Sequence, residues 1–272
     1  MTIFFPDVSN YQAGLVIQPG TVAVVAKATE GTGYRDASFF NFEAQADRLG
    51  AVFSGYHYLH AGNGSGQADY YRAYTSRPCM IDVEAGSGGV GDVTAFMDRA
   101  RANGTRVWGV YLPHWYWQQI GSPSLTPITN RGAVIVSSNY TAYSDSGPGW
   151  AGYGGADPAV WQYTSSFAYG GQRVDFNAYK GTVEQFRALV LGSAPTPPSG
   201  GNMLTPDDIL NIWAYHGGDG NAGQPDDQPD VHQSVLDSRD NTAALLVAVQ
   251  NLTVAVQGLS ANVEAIKAKV GA

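Results

Sequence analysis

The chain has 272 residues, 44% of them hydrophobic, enough for one large domain with a sizeable core plus an appendage. Its net charge of −8 argues against general nucleic-acid binding. The single Cys79 excludes an internal disulfide, no Cys/His spacing suggests zinc, and no apolar run is long enough to span a membrane.

Taken in order, residues 1–192 alternate strand-like and helix-like patterns. Ile3 to Val8 reads as a strand. The continuous apolar run Val22 to Ala28 predicts a strand covered on both faces. Phe39 to Leu49 has helical spacing, with Gly50 suited to its C-cap. Val52 to His60 is an aromatic-rich strand, and a polar helix follows over Gln67 to Tyr74. Met80 to Ala85 is a short buried strand. Val93 to Ala102 is helical and stopped by Asn103-Gly104. Val107 to Trp117 begins as a strand and ends in a Tyr/Trp-rich loop. Ala133 to Val136 and Ala159 to Tyr163 are two more short strands, and Thr182 to Leu191 is a closing helix. Strands alternating with helices imply parallel βα units. The expected fold class is therefore α/β: an irregular (β/α) TIM-like barrel whose later units have long Gly-rich loops in place of clear helices.

Within that frame the stretch Met80-Ile81-Asp82-Val83-Glu84-Ala85 stands out. Side chains alternate along a strand, so Asp82 and Glu84 share a face, with Cβ atoms roughly 6–7 Å apart. Two acids held that close in a partly apolar setting do not titrate alike. Glycoside hydrolysis uses such a pair: a protonated acid for the leaving oxygen and a carboxylate for the positive, sugar-like transition state. A solvated acidic pair on an edge strand is the alternative. The spacing does not decide between a retaining and an inverting course.

Ser193 to Gly201 is a Pro-rich, then Gly-rich linker. After it, Thr205-Pro206-Asp207-Asp208 starts a short helix that Gly217-Gly218 stops. Asp219 to Asp230 is acidic and turn-like. Its Asp219-x-Asn221 start loosely resembles a calcium loop, but Gln224 and Pro225 stand where that loop needs glycine and a smooth turn, so no metal or other cofactor is expected. From residue 235 onward Thr242, Val249, Val256, Val263 and Val270 repeat every seven residues, and Leu245, Leu252, Leu259 and Ile266 each follow the first series by three places up to Val263. That 3-4 alternation is a coiled-coil heptad. It predicts self-association through residues 235–270, with a dimer favoured and a trimer or tetramer allowed. The alternative is a single amphipathic helix packed on the barrel. Residues 1–192 hold 12 basic and 14 acidic residues, and 202–272 hold 3 and 9, so the appendage is not a cationic anchor. The expected domains are 1–192 (barrel), 193–201 (linker), 202–234 (short helix and acidic turns) and 235–272 (oligomerisation helix).

Several segments, in order, resemble the glycoside hydrolase family 25 muramidases, a lysozyme family common among phage endolysins. They are Asp7-Val8-Ser9-Asn10-Tyr11-Gln12, Ala26-Lys27-Ala28-Thr29-Glu30-Gly31, Gly55-Tyr56-His57-Tyr58, Ile81-Asp82-Val83-Glu84, Trp161-Gln162-Tyr163-Thr164 and Val174-Asp175-Phe176-Asn177. The resemblance covers about residues 3–191. It implies hydrolysis of the β-1,4 bond between N-acetylmuramic acid and N-acetylglucosamine in bacterial peptidoglycan. By the same resemblance Glu84 would be the general acid, and Asp82 would stabilise the oxocarbenium-like state or orient the 2-acetamido group. Asp7 and Asp175 would be further acids at the barrel mouth, and the ring of carboxylates would raise the pKa of Glu84 as its least solvated member. Tyr56, Tyr58, Tyr111, Trp161 and Gln162 are candidates for the sugar groove, with core packing as the alternative for each ring. Lys27 and Glu30 are expected to form a structural ion pair, and His57 and His60 to be supporting residues.

Two rivals remain: a chitinase-like β-glycosidase, and a non-catalytic wall-binding virion protein on the same barrel. Pro78-Cys79-Met80 before Asp82 argues against the first, and the intact four acids argue against the second. Met1 to Phe5 has no basic start, so no signal peptide is expected. Synthesis in a host cytoplasm, with action on the wall after release, is the localisation this implies.

Overall fold

Strand β2 (Ala23–Glu30) shows how the core is organised. Its Ala23 and Val25 join one buried apolar cluster, while Val24, Ala26 and Ala28 join another. A strand that buries both faces has a packed interior on one side and helices on the other, as its unbroken apolar run predicts. The computed structural model describes residues 1–192.

These residues close eight strands into a barrel in the order β1 (Ile3–Val8), β2, β4 (Val52–Tyr58), β5 (Cys79–Asp82), β6 (Val107–Tyr111), β7 (Val134–Ser138), β8 (Pro158–Tyr169) and β9 (Gln172–Tyr179), with β9 returning to β1. The two-residue β3 (Tyr34–Arg35) extends β2 as an antiparallel flap. Ile3, Phe5, Val25, Val52, Met80, Trp108, Val136 and Val160 fill the interior. The crossover helices α1 (Phe39–Leu49), α2 (Gly64–Tyr74) and α3 (Val90–Ala102) bury residues at helical spacing, such as Phe39, Phe42 and Ala46 of α1. Gly50 ends α1 at φ 66°, its N–H bonded to the carbonyls of Ala46 and Asp47. Helix α6 (Val183–Leu191) sets Phe186 against Phe5, Trp108 and Tyr179. It therefore plugs the end of the barrel where the parallel strands begin.

The structure corrects the expectation of uniform βα repetition. Strand β9, absent from the sequence reading, forms a hairpin with β8 and runs antiparallel to both β8 and β1. Two short helices, α4 (His114–Gln119) and α5 (Thr126–Thr129), occupy what reads as loop after β6. The expected loss of regular helices in the later units holds between β7 and β8, where one 3-10 turn over Pro148–Trp150 is the only helical element. Glycine makes that turn fit. A Cβ on Gly149 would lie 2.2 Å from the Trp161 indole, so the backbone rests directly on the ring. The linker, the segment 202–234 with its weak calcium-loop resemblance, and the heptad region 235–272 all lie outside the described residues.

Candidate active site

At the end opposite α6 the parallel strands finish, and their last side chains face solvent. Asp82 is the final residue of β5, flanked in register by Tyr58 of β4 and Tyr111 of β6. Asp7 sits near the end of β1, directly opposite Asp175 of β9. An open cleft of about 750 Å³ gathers Asp7, Asp82, Glu84 and Asp175 with Lys27, Glu30, Tyr56 and Tyr58.

Glu84 does not continue the strand as expected. The ladder ends because β6 offers Val83 its last acceptor, the Tyr111 carbonyl. The Glu84 N–H turns instead to Ser87 Oγ at 3.0 Å, and the Ser87 N–H returns to the Glu84 carbonyl at 2.8 Å. Ser87 Oγ in turn donates to the Leu59 carbonyl at 2.6 Å, tying this turn to the end of β4. Tyr116 of α4 donates its hydroxyl to the Ser87 carbonyl, so the loop that reads as irregular in sequence buttresses the Glu84 turn. Glu84 is consequently half-buried at the rim, while Asp82 and Asp7 are each only 7% exposed. The least solvated acids are thus Asp7 and Asp82, a correction to the sequence expectation for Glu84.

Burial dominates the electrostatics. It pushes the Asp82 carboxyl well up, with the Glu84 and Asp7 charges adding and Lys27 opposing. Asp7 is raised by burial, then by Asp175 and Glu84. Glu84 is raised by burial and pulled back by Lys27. Asp175 rises to about 6 through burial and the Glu84 charge. Burial shifts all four carboxyl groups in the same direction, towards holding protons at higher pH than free carboxylates do, and repulsion adds to it at Asp7, Asp82 and Asp175. One oxygen of Asp82, Oδ1, is buried without a hydrogen-bond partner among the described residues.

Lys27 is locked in place. Its Nζ lies 2.5 Å from Glu30 Oε2 and over the Tyr58 and Tyr34 rings at 5.1 and 5.4 Å. His60 Nε2 lies 3.1 Å from Glu30 Oε1. His57 is fully buried between Thr29 Oγ1 and Gln67 Oε1, and burial lowers its pKa to about 4. It serves as a neutral core histidine.

The remaining groove candidates divide. Tyr56 and Tyr58 line the cleft; Tyr111, Trp161 and Gln162 do not. Trp161 has no exposed surface, packs beneath Gly147 and Gly149, and donates to the Asn139 carbonyl at 2.8 Å. It offers no face to a sugar. Tyr111 is buried and donates to Gln162 Oε1 at 3.1 Å; Tyr140 donates to the same oxygen at 2.9 Å. The cleft also includes Tyr11 and Gln12, which the sequence reading did not single out as groove residues. They sit on a 3-10 turn capped reciprocally by Ser9 and Gln12, a Ser-x-x-Gln capping box that is visible in the sequence. Tyr140 had no such signal, because its position depends on Gln162 from a neighbouring strand. Among the described residues no group of three or more His, Cys, Asp or Glu is arranged to hold a metal.

The model of glycosyl hydrolases family 25 matches residues 6–172, which include Asp7, Lys27, Glu30, Tyr56, Tyr58, Asp82 and Glu84 of this cleft; Asp175 on β9 follows the matched segment. The chain belongs to glycosyl hydrolase family 25. Its class of chemistry follows: it is a glycoside hydrolase of the lysozyme type. An N,O-diacetylmuramidase of Chalaropsis sp is 27% identical over 215 residues, covering 68% of this chain and 98% of that protein. Lysozyme M1 of Streptomyces globisporus is 24% identical, covering 69% and 71%. Among solved structures, a family GH25 lysozyme from Aspergillus fumigatus superposes with a TM-score of 0.60 at 22% identity, covering 70% of this chain and 99% of its own. A muramidase from Trichobolus zukalii gives 0.58 at 25%, covering 70% and 100%. Family 25 membership thus accounts for the part of the chain that the structure describes. No described helix is long and apolar enough to cross a membrane.

Proposed function

We propose that this family 25 enzyme hydrolyses the β-1,4 bond between N-acetylmuramic acid and N-acetylglucosamine in bacterial peptidoglycan. The observation that supports it best is the gathering of Asp7, Asp82, Glu84 and Asp175 around one open cleft with Lys27 as the nearby cation. Such a cleft favours a reaction that needs one proton delivered and one positive charge stabilised.

In this reading Glu84 is the general acid. Its position at the rim suits contact with a leaving oxygen, and burial raises its pKa, which favours the protonated form, with Lys27 opposing. Asp82, on the floor, faces the developing oxocarbenium charge, or holds the 2-acetamido group through its unpartnered oxygen. The Asp82–Glu84 pair titrates as a unit, and Lys27 favours keeping one negative charge on it. Asp7 and Asp175 set the field on the opposite wall. Tyr56 and Tyr58 contribute ring surface beside the acids.

The heptad pattern supports self-association through residues 235–270, which would give several catalytic barrels on one stalk and avidity for a polymeric wall. A phage-endolysin role, with action on the wall after release from the host cytoplasm, fits a catalytic domain followed by a Pro/Gly linker and an appendage. The test of the central reading is mass spectrometry of fragments released from purified peptidoglycan. New N-acetylmuramic acid reducing ends support it; N-acetylglucosamine ends, or cleavage of chitin oligomers in preference, overturn it.

A further inference from the structure

A second cavity, of about 330 Å³, lies at the other end of the barrel. Arg101, Thr105, Arg106 and Arg131 line it with Met97 and Val107. Arg106 immediately precedes β6, and Arg131 stands just before β7. The cavity is therefore at the strand starts, whereas Tyr58 and Asp82 end their strands in the carboxylate cleft.

The three guanidinium groups differ in how far their donors are used. Arg131 is committed: Nε and Nη2 bond the Asp98 carboxylate at 2.8 and 2.9 Å, and Nη1 bonds the Pro127 carbonyl at 2.8 Å. Arg106 gives Nε and Nη2 to the carbonyls of Leu189 and Val190 at the end of α6, leaving Nη1 without an acceptor among the described residues. Arg101 makes one bond, from Nη2 to the Arg131 carbonyl at 2.9 Å, so its Nε and Nη1 are unused among the described residues. Asp98 is the one carboxylate that bonds to any of these arginines there. The Thr105 hydroxyl, in the same lining, is buried and has no hydrogen-bond partner among the described residues. Residues 1–192 carry a slight acidic excess, so this concentration of positive charge and spare donors is local, not a general property of the barrel.

We propose that this cavity binds a phosphate-type oxyanion. Guanidinium forks match phosphate oxygens, and charge-assisted bonds of this kind are about twice as strong as neutral ones. The spare donors come from two arginines on different elements, α3 and the start of β6. A tetrahedral group turns oxygens towards both at once, which a planar carboxylate does less well. The phosphate has two sources: free inorganic phosphate, or a phosphodiester within an anionic polymer. Because the cavity and the carboxylate cleft lie at opposite ends of the barrel, an occupant of one does not exclude a glycan from the other. A phosphodiester polymer held here would tether the enzyme while the cleft remains open.

The experiment titrates the full-length protein by calorimetry with inorganic phosphate and, separately, with glycerol-phosphate oligomers, at ionic strength matched with chloride. The variant is Arg101→Gln, an exposed residue with a single side-chain bond, and Arg101→Lys tests the fork against charge alone. Saturable binding of either probe, weakened about tenfold by Arg101→Gln as loss of a charge-assisted contact predicts, is the expected result. Cleavage of soluble glycan fragments stays at the wild-type rate in both variants. Tighter binding of the oligomer identifies the polymeric source, and equal affinity per phosphate identifies the free ion. No saturable binding of either probe overturns the proposal, as does binding that Arg101→Gln leaves intact.

Discussion

Asp7 and Asp175 face each other across the antiparallel β1–β9 pair, as direct register partners at the mouth of the barrel. Side chains so placed have Cβ atoms about 4.5–5.5 Å apart, where two negative charges oppose one another. The Asp175 charge adds to burial in raising Asp7, while Asp175 itself is raised by burial and then by the Glu84 charge, and both shifts make stability depend on pH. Asp175 titrates at about 6 in the folded chain, against about 3.9 for a free aspartate. The folded state therefore binds more protons than the unfolded one between these values. The contribution of Asp175 is fully present below about pH 4 and lost as pH rises through about 6. Melting temperatures at pH 4.5 and 7.0 check this: Asp175→Asn should show a smaller fall, or a larger gain, on going to pH 7.0 than wild type. An identical pH response in the two proteins would contradict the shift.

Glu84→Gln keeps the side-chain shape and removes the transferable proton. General acid catalysis contributes about 10²–10⁴-fold, so kcat on peptidoglycan should fall by at least about 10² while the melting temperature stays close to wild type. Asp82→Asn should be comparably severe, since the cationic transition state loses its nearest charge. Wild-type lysis by a folded Glu84→Gln protein would remove Glu84 from the role of acid.

Trp161 provides a contrast between packing and binding. It is fully buried under the Gly147–Gly149 backbone and makes one hydrogen bond, to Asn139. Trp161→Ala should cost about 3–5 kcal/mol in urea unfolding, the range for truncating a buried aromatic. KM for a soluble fragment, measured where the variant remains folded, should stay within about twofold, because the indole presents nothing to substrate. A large KM effect with unchanged stability would reinstate Trp161 as a sugar platform.

The heptad pattern makes a separate prediction. A helix over residues 235–270 would be about 54 Å long at 1.5 Å per residue, with a Val/Leu seam that association buries. Light scattering of the full-length protein should give a multiple of 28.8 kDa. A chain truncated after Gly201 should be monomeric, active on soluble fragments and weaker on whole walls. A monomer mass for the full chain at micromolar concentration would rule the seam out as an interface.

Local pattern carried much of the barrel. Val22 to Ala28, Phe39 to Gly50 and Val93 to Ala102 each declare strand or helix through the spacing of their apolar residues, and the structure has those elements within one to three residues of the expected ends. The proximity of Asp82 and Glu84 is also local, because two residues of chain cannot separate them far. Strand β9 was missed for a reason of the same kind. Its Val174, Phe176 and Ala178 are buried, but Asp175 and Asn177 between them line the mouth and interior of the barrel, so its composition does not resemble the apolar runs of the parallel strands.

What only the tertiary structure decided is which distant residues meet and which are covered. Asp7 finds Asp175 because β9 reverses direction and closes the barrel against β1, and strand direction has no signature in side-chain alternation. Tyr58 and Trp161 are both aromatic residues on barrel strands. One ends its strand at an open mouth; the other lies under a glycine-rich loop that no residue beside it in sequence announces. Residue type and periodicity therefore determined the elements and the acidic pair. Closure of the sheet determined how deeply each acid is buried, and that depth, through the desolvation of its charge, is what separates Asp7 and Asp82 from Glu84 at the rim.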